Sequence, residues 1–521
     1  MSRQGVALAL VVALLLVGFG LRTRHITALP LYQDETYHLR RAGDVYRFAD
    51  NPIAYAHGKL LLYYWIGAFR PAYTEAGLMT ARLSVALTGL IAASGGAALA
   101  RALFGQRAGL LALAFLVFTP YALFYDRLAL SDTPAAALSA LAGWWTLATI
   151  RRPTRRRGIV LGGLLALALL AKLSTAPLLA LPPLAALLFA PTSLSLRENW
   201  TRVRPALLPA VLIVLAVGAL YGIGAFENAL SGRPQEPYDP ELFELTRGFG
   251  GFVKNLRLAW DAGAVFLSMP LVLGGLALAI AALRRGRAAL YLLGWLLAVT
   301  VPFLAFAVVL QTRYFVPALP VFAALLAGGI VTLAGAQRGA WLGAAVLALW
   351  AIAFALPTAR TLIADPASLH VTEIDRRNFF RYTSNAWGAR EALWDLAGTG
   401  ERVDGRVPLV GAMHYCTLPN LYITGAFDWT CLDARLSFLP QTRMPDDVYA
   451  WHALIDAVQR HPFTYLLTDY RSPGADPSDD ALAWEQIAAY RRPQGNQWVT
   501  VWRVQVHDAS ALAQHLAGRA P

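Results

Sequence analysis

The sequence predicts an α-helical protein that crosses a membrane about eleven times and carries a C-terminal soluble α/β domain. Hydrophobic residues make up 57% of the 521 residues and the mean hydropathy is +0.47, a composition that excludes an ordinary soluble protein. Apolar stretches long enough to span a bilayer recur up to residue 357, whereas charged residues become frequent beyond it.

Short polar connections divide the membrane part into hydrophobic segments. The first segment lacks a small-residue cleavage pattern and is interpreted as a retained helix. A shorter apolar run at 60–69 predicts an interfacial helix, because it is too short to reach across a bilayer. The predicted spans are 5–21, 77–100, 108–125, 133–150, 158–171, 174–190, 205–224, 262–283, 288–309, 315–334 and 341–357.

Arginines in the short connections predict the orientation of the protein. They gather at 151–157, 197–204 and 284–287, which are alternate connections, and such clusters face the cytoplasm. The N-terminus is therefore expected inside the cell and the loop 22–76 outside it. This long loop is itself basic, but long loops contribute little to the rule, and a site for anionic ligands would also place cations there.

Residues 358–521 are expected to form an extracytoplasmic α/β domain separate from the membrane domain 1–357. They hold 18 of the 32 acidic residues but 15 of the 45 basic ones. Both cysteines, Cys416 and Cys431, lie there, which favours a disulfide over two buried thiols in an oxidising compartment. Strands are predicted at 407–410, 464–468 and 498–506, and helices at 390–396 and 452–459.

Polar residues cluster on the predicted outer face. Asp34 and Glu35 follow the first span, and the only three lysines of the chain, Lys59, Lys172 and Lys254, fall on this face as well. A compact ammonium group suits a phosphate oxygen. Carboxylates and cations on one water-facing rim suit a reaction with an anionic leaving group and a hydroxyl nucleophile.

The carboxylates also have plain structural interpretations. Asp34 and Asp132 both stand where they could cap a helix, since an N-terminal carboxylate is favourable there. Glu35 could equally be a solvated surface residue. Asp126 beside Arg127 is typical of a structural ion pair.

The cations and the histidine have similar alternatives. Arg313 could anchor the chain at the membrane interface, as flanking arginines do. The placement of all three lysines on one face could be chance. His57 is favoured as a structural residue over a metal ligand.

Taken together, the motifs resemble those of the GT-C membrane glycosyltransferases. The branch they resemble most is that of the protein O-mannosyltransferases and the bacterial lipid A aminoarabinose transferases. The resemblance covers about residues 1–335, and it lies in the order of the motifs rather than in any single one. The matching stretches are Leu31–Tyr37, His57–Trp65, Ala81–Ser84, Asp132, Leu170–Ser174 and Arg313–Pro320.

The resemblance implies a GT-C fold and roles for individual residues. Asp34 would be the catalytic base, and Glu35 would contact the acceptor or a divalent cation. Relatives often have an acidic residue or a proline around the lysine motif, where this chain has Gly58 and Leu60, so no metal site is assigned. The candidates for binding the donor phosphate are Lys59, Arg313 and Lys172, and those for binding acceptor or substrate are Tyr37, His57, Arg82, Asp132 and Tyr314.

These expectations combine into an inverting glycosyltransferase of the cell membrane. It would move a monosaccharide from a polyprenyl-phosphate carrier to a hydroxyl of a lipid, glycan or protein on the outer face, with no nucleic-acid partner. The sequence contains no nucleotide-binding glycine loop, which fits a lipid-linked donor.

Two other classes of protein remain as alternatives. One is a transporter or flippase for a lipid-linked anion, which would carry functional charges at mid-bilayer and broken helices in two corresponding halves. The spans are mostly uncharged, however, and the halves do not repeat each other. The other alternative is a non-catalytic assembly protein whose C-terminal domain binds a partner.

Overall fold

The computed structural model describes residues 3–45, 59–191, 193–230, 248–333, 336–413, 417–432, 455–470, 482–508 and 510. The chain divides into two compact units. The first comprises 1–26, 38–72 and 79–372, and the second comprises 27–37, 73–78 and 373–521. The second unit thus combines the C-terminal part with two pieces of the first long loop, whereas the sequence-based division at residue 357 stays a prediction.

Helices make up the first unit, and the helices α2 and α4 begin in residues assigned to the second. The helices are α1 Arg3–Thr23, α2 Gln33–Asp44, α3 Leu60–Gly67, α4 Glu75–Phe104, α5 Gln106–Phe118, α6 Pro120–Asp126, α7 Asp132–Arg151, α8 Arg155–Ala171, α9 Leu181–Leu188, α10 Leu196–Leu230, α11 Gly248–Leu267, α12 Met269–Ala282, α13 Arg287–Phe306, α14 Leu319–Leu333, α15 Ala336–Trp350 and α16 Leu356–Ala364. Short 3₁₀ or π-helical segments at Leu173–Ala180, Thr312–Ala318 and Ala351–Ala355 lead into α9, α14 and α16.

Several helices are suited to cross a membrane. In the part of the chain that the structure describes, six are long and apolar enough, or up to eight if each of two bent pairs forms one span. The multi-pass architecture is confirmed, but the predicted number of eleven spans is not.

Two predicted spans are bent by proline. The helices α5 and α6 meet at 57°, and α11 and α12 meet at 109°. Pro120 begins α6 after an extended Thr119, and a proline also opens α12 just beyond Ser268. Proline lacks an N–H group and its ring clashes with the carbonyl four residues earlier, so neither segment continues as a straight helix. The predicted spans 108–125 and 262–283 are therefore each a bent pair of helices, not one straight helix.

Small residues let the helices of the first unit approach closely. A Cβ atom on Gly143 of α7 would lie 2.0 Å from the ring of Trp295, which is fully buried. Tyr291, one turn earlier on α13, donates a hydrogen bond of 3.0 Å to the Gly143 carbonyl. On α8, a Cβ atom at Gly158 would lie 1.9 Å from the Ala206 carbonyl oxygen. Glycine at these crossings is what permits such close packing.

The second unit contains a mixed five-stranded sheet. Its strands are β1 Val407–Ala412, β2 Phe427–Cys431, β3 Thr464–Tyr470, β4 Leu482–Arg491 and β5 Trp498–Val506, in the order β2-β1-β3-β5-β4. Strand β1 pairs in parallel with β2 and β3, whereas β5 pairs antiparallel with β3 and β4. The helix α17, Ala389–Thr399, belongs to the same unit.

The three predicted strands and the helix at 390–396 are confirmed. Strands β2 and β4 were not predicted from the sequence. Strand β4 contains three alanines and one glutamate, residue types that are somewhat depleted in strands, and it pairs along its length with β5. Of the helix predicted at 452–459, residues 455–460 are helical and 452–454 lie outside the described residues. Cys431 is disulfide-bonded, and Cys416 lies outside the described residues.

The segment 27–37 is built into this second unit. The Leu31 amide donates to the Tyr422 hydroxyl at 2.9 Å, and Tyr32 forms an antiparallel bridge with Asn385. The buried Arg390 guanidinium donates to the carbonyls of residues 27 and 28, each at 3.1 Å. The residues that precede Asp34 are therefore fixed by the C-terminal part of the chain.

We predict that Gly143→Ala destabilises the protein by about 1–3 kcal/mol, the usual range for overpacking a core. The added methyl group would collide with the buried Trp295 ring. The matched control is Gly163→Ala on α8, where a Cβ atom meets nothing within 4 Å, so the helix should be unaffected or slightly stabilised. Thermal unfolding of both variants in detergent checks this, and an equal midpoint for the two would contradict it.

Candidate active site

The centre of the candidate site is Asp132, the first residue of α7. Its side chain is only 2% exposed, its Oδ1 pairs with the Lys172 ammonium, and its Oδ2 lies 4.0 Å from Arg313 Nε. The N-cap residue of α7 is Ser131, so the interpretation of Asp132 as the cap is wrong, and its carboxylate instead lies beside two cations from distant segments. The low exposure of Arg313, 13%, also argues against a lipid-facing anchor.

Local backbone structure presents the two cations. Lys172 ends α8 in an extended conformation, just before the segment Leu173–Ala180. Arg313 lies in the turn Thr312–Ala318, whose first residue is held twice: the Tyr121 hydroxyl donates to the Thr312 carbonyl, and the Thr312 and Thr372 hydroxyls are 3.2 Å apart. A fixed turn keeps the Arg313 backbone in place.

Tyr314 forms an aromatic wall beside these charges. Its ring stacks on Phe303 with 5.0 Å between centroids, and the Lys172 Nζ lies 4.5 Å from its centroid. A cation over an aromatic face is attracted by the ring quadrupole. Tyr314 thus joins the group of Asp132, Lys172 and Arg313.

Lys59 adds a further cation to this group. It stands at the N-terminus of α3, and its Nζ lies 3.3 Å from Nε2 of His38. Burial lowers the pKa of Lys172, the Asp132 carboxylate opposes this shift, and the nearby charges of Arg313 and Lys59 lower the pKa further. The three cations therefore share one electrostatic environment. His38 was not selected from the sequence, although its spacing of four residues from Asp34 would place both on one helix face.

Asp34, Glu35 and Tyr37 belong to the second unit. Asp34 lies in the first turn of α2, and Tyr37 is 41% exposed. Glu35 is fully buried and accepts a hydrogen bond of 3.1 Å from the Tyr32 amide. The interpretation of Glu35 as a solvated surface carboxylate is therefore wrong.

Arg82 and Lys254 occupy other surroundings. Arg82 is fully buried in α4 and donates to the Ile26 carbonyl at 2.9 Å. Lys254 is exposed on α11, and His57 lies outside the described residues. Among the described residues, no group of three or more His, Cys, Asp or Glu side chains is arranged to hold a metal ion.

Asp126 and Arg127 do not form the expected ion pair. The Asp126 carboxylate pairs with Arg22 at 2.8 Å and accepts from the Thr133 hydroxyl at 2.9 Å. Arg127 instead donates to backbone carbonyls at and just beyond the end of α1, including those of residues 21, 24 and 25, at 3.0, 2.8 and 2.7 Å. The carbonyls at a helix C-terminus have no partner within the helix. Because Arg22 already compensates Asp126, the Arg127 guanidinium donates to these carbonyls.

Comparisons with known proteins agree with this architecture. Residues 57–221 match the family model described as dolichyl-phosphate-mannose-protein mannosyltransferase. Two structures of ArnT from Cupriavidus metallidurans match as well. The apo structure gives a TM-score of 0.58 at 17% identity, covering 96% of this chain and 98% of that one. The structure bound to undecaprenyl phosphate gives 0.56 at 16% identity, covering 98% and 99%.

The chain has the fold of the GT-C membrane glycosyltransferases. The apo oligosaccharyltransferase of Archaeoglobus fulgidus matches with a TM-score of 0.50 at 15% identity, covering 89% of this chain and 69% of that one. A search of curated proteins finds no match. The resemblance seen in the motifs is confirmed, and the matched family region contains Lys59, Arg82, Asp132 and Lys172.

We predict that Lys172→Met destabilises the protein by about 3–5 kcal/mol, because removing one partner leaves a buried carboxylate poorly compensated. Arg313 Nε would remain near Asp132, but at 4.0 Å it lies beyond hydrogen-bonding distance. Lys254→Met, at an exposed lysine of the same chain, is the control and should leave the unfolding midpoint unchanged. Equal midpoints for the two variants would show that the Asp132–Lys172 pair does not stabilise the fold.

Proposed function

We propose that the protein is an inverting glycosyltransferase that uses a polyprenyl-phosphate-linked sugar as donor. The observation that carries the proposal is that Lys172 and Arg313 lie beside the buried Asp132, while the charge of Lys59 is near enough to lower the pKa of Lys172. These cations come from three separate segments of a fold that a protein crystallised with undecaprenyl phosphate also has. A buried cluster of this kind suits the phosphate of a lipid whose tail lies among apolar helices.

In the proposed reaction, the acceptor hydroxyl oxygen attacks the anomeric carbon of the sugar. The bond between that carbon and the phosphate oxygen breaks, and its electron pair leaves with the polyprenyl phosphate. Lys59 and Arg313 stabilise the negative charge that develops on the leaving phosphate, and Lys172 supports them. Asp132 holds Lys172 and Arg313 at fixed positions, while the acceptor proton goes to a carboxylate.

Asp34 is our candidate for that carboxylate. It lies in the first turn of α2 and is partly exposed, unlike the buried Glu35. Residues four apart on a helix share a face, so Asp34 lies on the same face of α2 as His38, the residue next to Lys59. An ordinary carboxylate is a weak base, but the proton can leave late, once bonding to carbon has acidified the hydroxyl.

Tyr37 and Tyr314 are proposed to contact the acceptor. Tyr37 is exposed close to Asp34 along α2, and Tyr314 offers a ring beside the cations. His57, which precedes Lys59 by two residues, completes the proposed acceptor set, whereas the fully buried Arg82 is bonded to the Ile26 carbonyl and is not part of it. The acceptor class is a lipid, glycan or protein hydroxyl, and mass spectrometry of the lipids and glycans of a deletion strain would identify it.

We predict that Asp34→Asn lowers turnover at least about 10²-fold, the usual contribution of a general base, while carrier binding stays nearly intact. The assay is release of polyprenyl phosphate from a sugar-loaded carrier by purified protein. The control is Asp404→Asn, at an exposed position with φ of 51°, which asparagine tolerates. Near wild-type turnover of Asp34→Asn would remove Asp34 from the mechanism, and absence of turnover by the wild type would favour a transporter.

We further predict that Lys59→Met and Arg313→Met each weaken binding of the donor by about 1–3 kcal/mol, as expected for hydrogen bonds to charged groups. Lys254→Met again serves as the control and should bind normally. A donor-bound structure provides the direct measurement. If both side chains lay more than about 6 Å from the phosphate, beyond hydrogen-bonding distance, the assignment would be refuted.

The site is proposed to face the extracytoplasmic side, with the N-terminus in the cytoplasm and the C-terminal part outside. The disulfide of Cys431 supports an oxidising compartment for that part. The arginine clusters of the short connections support a cytoplasmic location for 151–157.

Single cysteines introduced at the exposed residues Ala72, Thr154 and Thr399, with Cys416 and Cys431 replaced by serine, test this orientation. An impermeant thiol reagent added to intact cells should label positions 72 and 399 but not 154, because only the first two face outward in the proposed topology. Permeabilised cells are the control and should show labelling at all three. Protection of position 399 in intact cells would place the C-terminal part inside.

A further inference from the structure

His38 is a buried residue whose two ring nitrogens have different partners. The residue is only 1% exposed to solvent. Nδ1 lies 2.6 Å from the Ala129 carbonyl oxygen, and Nε2 lies 3.3 Å from the Lys59 Nζ. A carbonyl oxygen only accepts hydrogen bonds, so Nδ1 carries the hydrogen and donates it. In the neutral ring, Nε2 then offers a lone pair to the Lys59 ammonium.

We infer that His38 is a positioning residue, which orients the Lys59 ammonium toward the carrier phosphate. This inference rests on the proposed function, since it deepens the role of Lys59 there. His38 does not touch the reacting atoms in this assignment. It acts through the direction in which it holds the lysine side chain.

A neutral acceptor suits this task better than a carboxylate would. The charge of Lys59 is near enough to Lys172 to lower the pKa of that lysine. Like charges repel each other, so the flexible Lys59 side chain needs a fixed partner to keep its position. Asp132 holds Lys172 and Arg313 with a negative charge. The imidazole of His38 holds Lys59 without adding negative charge to the place where a phosphate would bind.

Contacts around His38 fix the position of its ring. Its ring lies 5.8 Å from the ring of Tyr63 on α3, and Tyr63 packs with Val45, Leu60 and Tyr64 in an apolar cluster. The Ala129 carbonyl that accepts from Nδ1 stands three residues before Asp132. One side chain therefore links α2, the Lys59 end of α3 and the segment that leads into Asp132.

Two amide substitutions distinguish the roles of the two ring nitrogens of His38. Glutamine places its amide near the position of Nε2, so His38→Gln retains an acceptor for Lys59. Asparagine places its amide near Nδ1, so His38→Asn retains a donor for Ala129 but cannot reach Lys59. A merely structural role through Ala129 would favour the asparagine variant, whereas orientation of Lys59 favours the glutamine variant.

The test measures binding of undecaprenyl phosphate to the purified full-length protein by native mass spectrometry. We expect His38→Asn to weaken binding about tenfold, as for loss of one hydrogen bond to a charged group, and His38→Gln to stay within about twofold of the wild type. In a Lys59→Met background, His38→Asn should have no further effect, because coupled residues are not additive. His38→Met, with the shape of glutamine and no amide, replaces His38→Asn if that variant does not fold.

Three results would overturn the inference. Wild-type binding by both His38→Asn and His38→Met would show that the acceptor is not needed, and so would additive effects of His38 and Lys59 substitutions. Weaker binding by His38→Gln than by His38→Asn would assign the role to Ala129 instead. If Lys59→Met itself binds undecaprenyl phosphate like the wild type, the phosphate site of the proposed function fails and the inference falls with it. If Lys59→Met loses binding but the His38 variants bind like the wild type, the proposed function is retained and only the role of His38 is rejected.

Discussion

The arrangement of the candidate site depends on one buried carboxylate. Asp132 is almost inaccessible to solvent and lies between Lys172 and Arg313, which come from segments far apart in the sequence. Removing charges from water is expensive, and such groups persist only when they compensate one another. The requirement to compensate Asp132 therefore brings the end of α8 and the turn before α14 to the first turn of α7. Tyr314 follows Arg313 into the same place and stacks on Phe303.

A second set of buried charges fixes the end of α1, where the first long loop begins. Arg22 joins α1 to Asp126, and Arg127 satisfies carbonyls at and beyond the helix C-terminus. Arg22 also donates to the carbonyls of residues 116 and 117, and Asp126 also accepts from the Thr133 hydroxyl. Buried charges need such additional hydrogen bonds to offset their loss of hydration. The loop that follows is then held by a different part of the chain, since Arg390 donates to the carbonyls of residues 27 and 28. The segment before Asp34 thus depends on residues more than 350 positions later.

The cations predicted from the sequence to bind phosphate can be compared directly with their positions in the structure. Lysine is rare in this chain, and two of its three lysines, Lys59 and Lys172, belong to the charged group around Asp132, whereas Lys254 does not. The rarity of lysine therefore indicated two of the three positions correctly. Lys254 differs from the other two lysines because it is exposed on α11. His38 escaped notice because a single histidine in a polar motif has no distinguishing pattern. Its importance comes from two contacts, to Ala129 and to Lys59, that no sequence spacing reveals.

The sequence by itself determined the class of protein, the positions of most apolar helices and three of the five strands, because hydrophobic burial and periodicity are properties of local composition. It also determined which polar residues interrupt apolar surroundings, since those interruptions are visible in one dimension. Only the tertiary structure decided which of them meet. Asp126 pairs with Arg22 and not with its neighbour Arg127, Glu35 is buried, and β4 pairs with β5. In each case the outcome was decided by a partner distant in sequence, because electrostatic compensation and strand pairing act between segments that only the folded chain brings together.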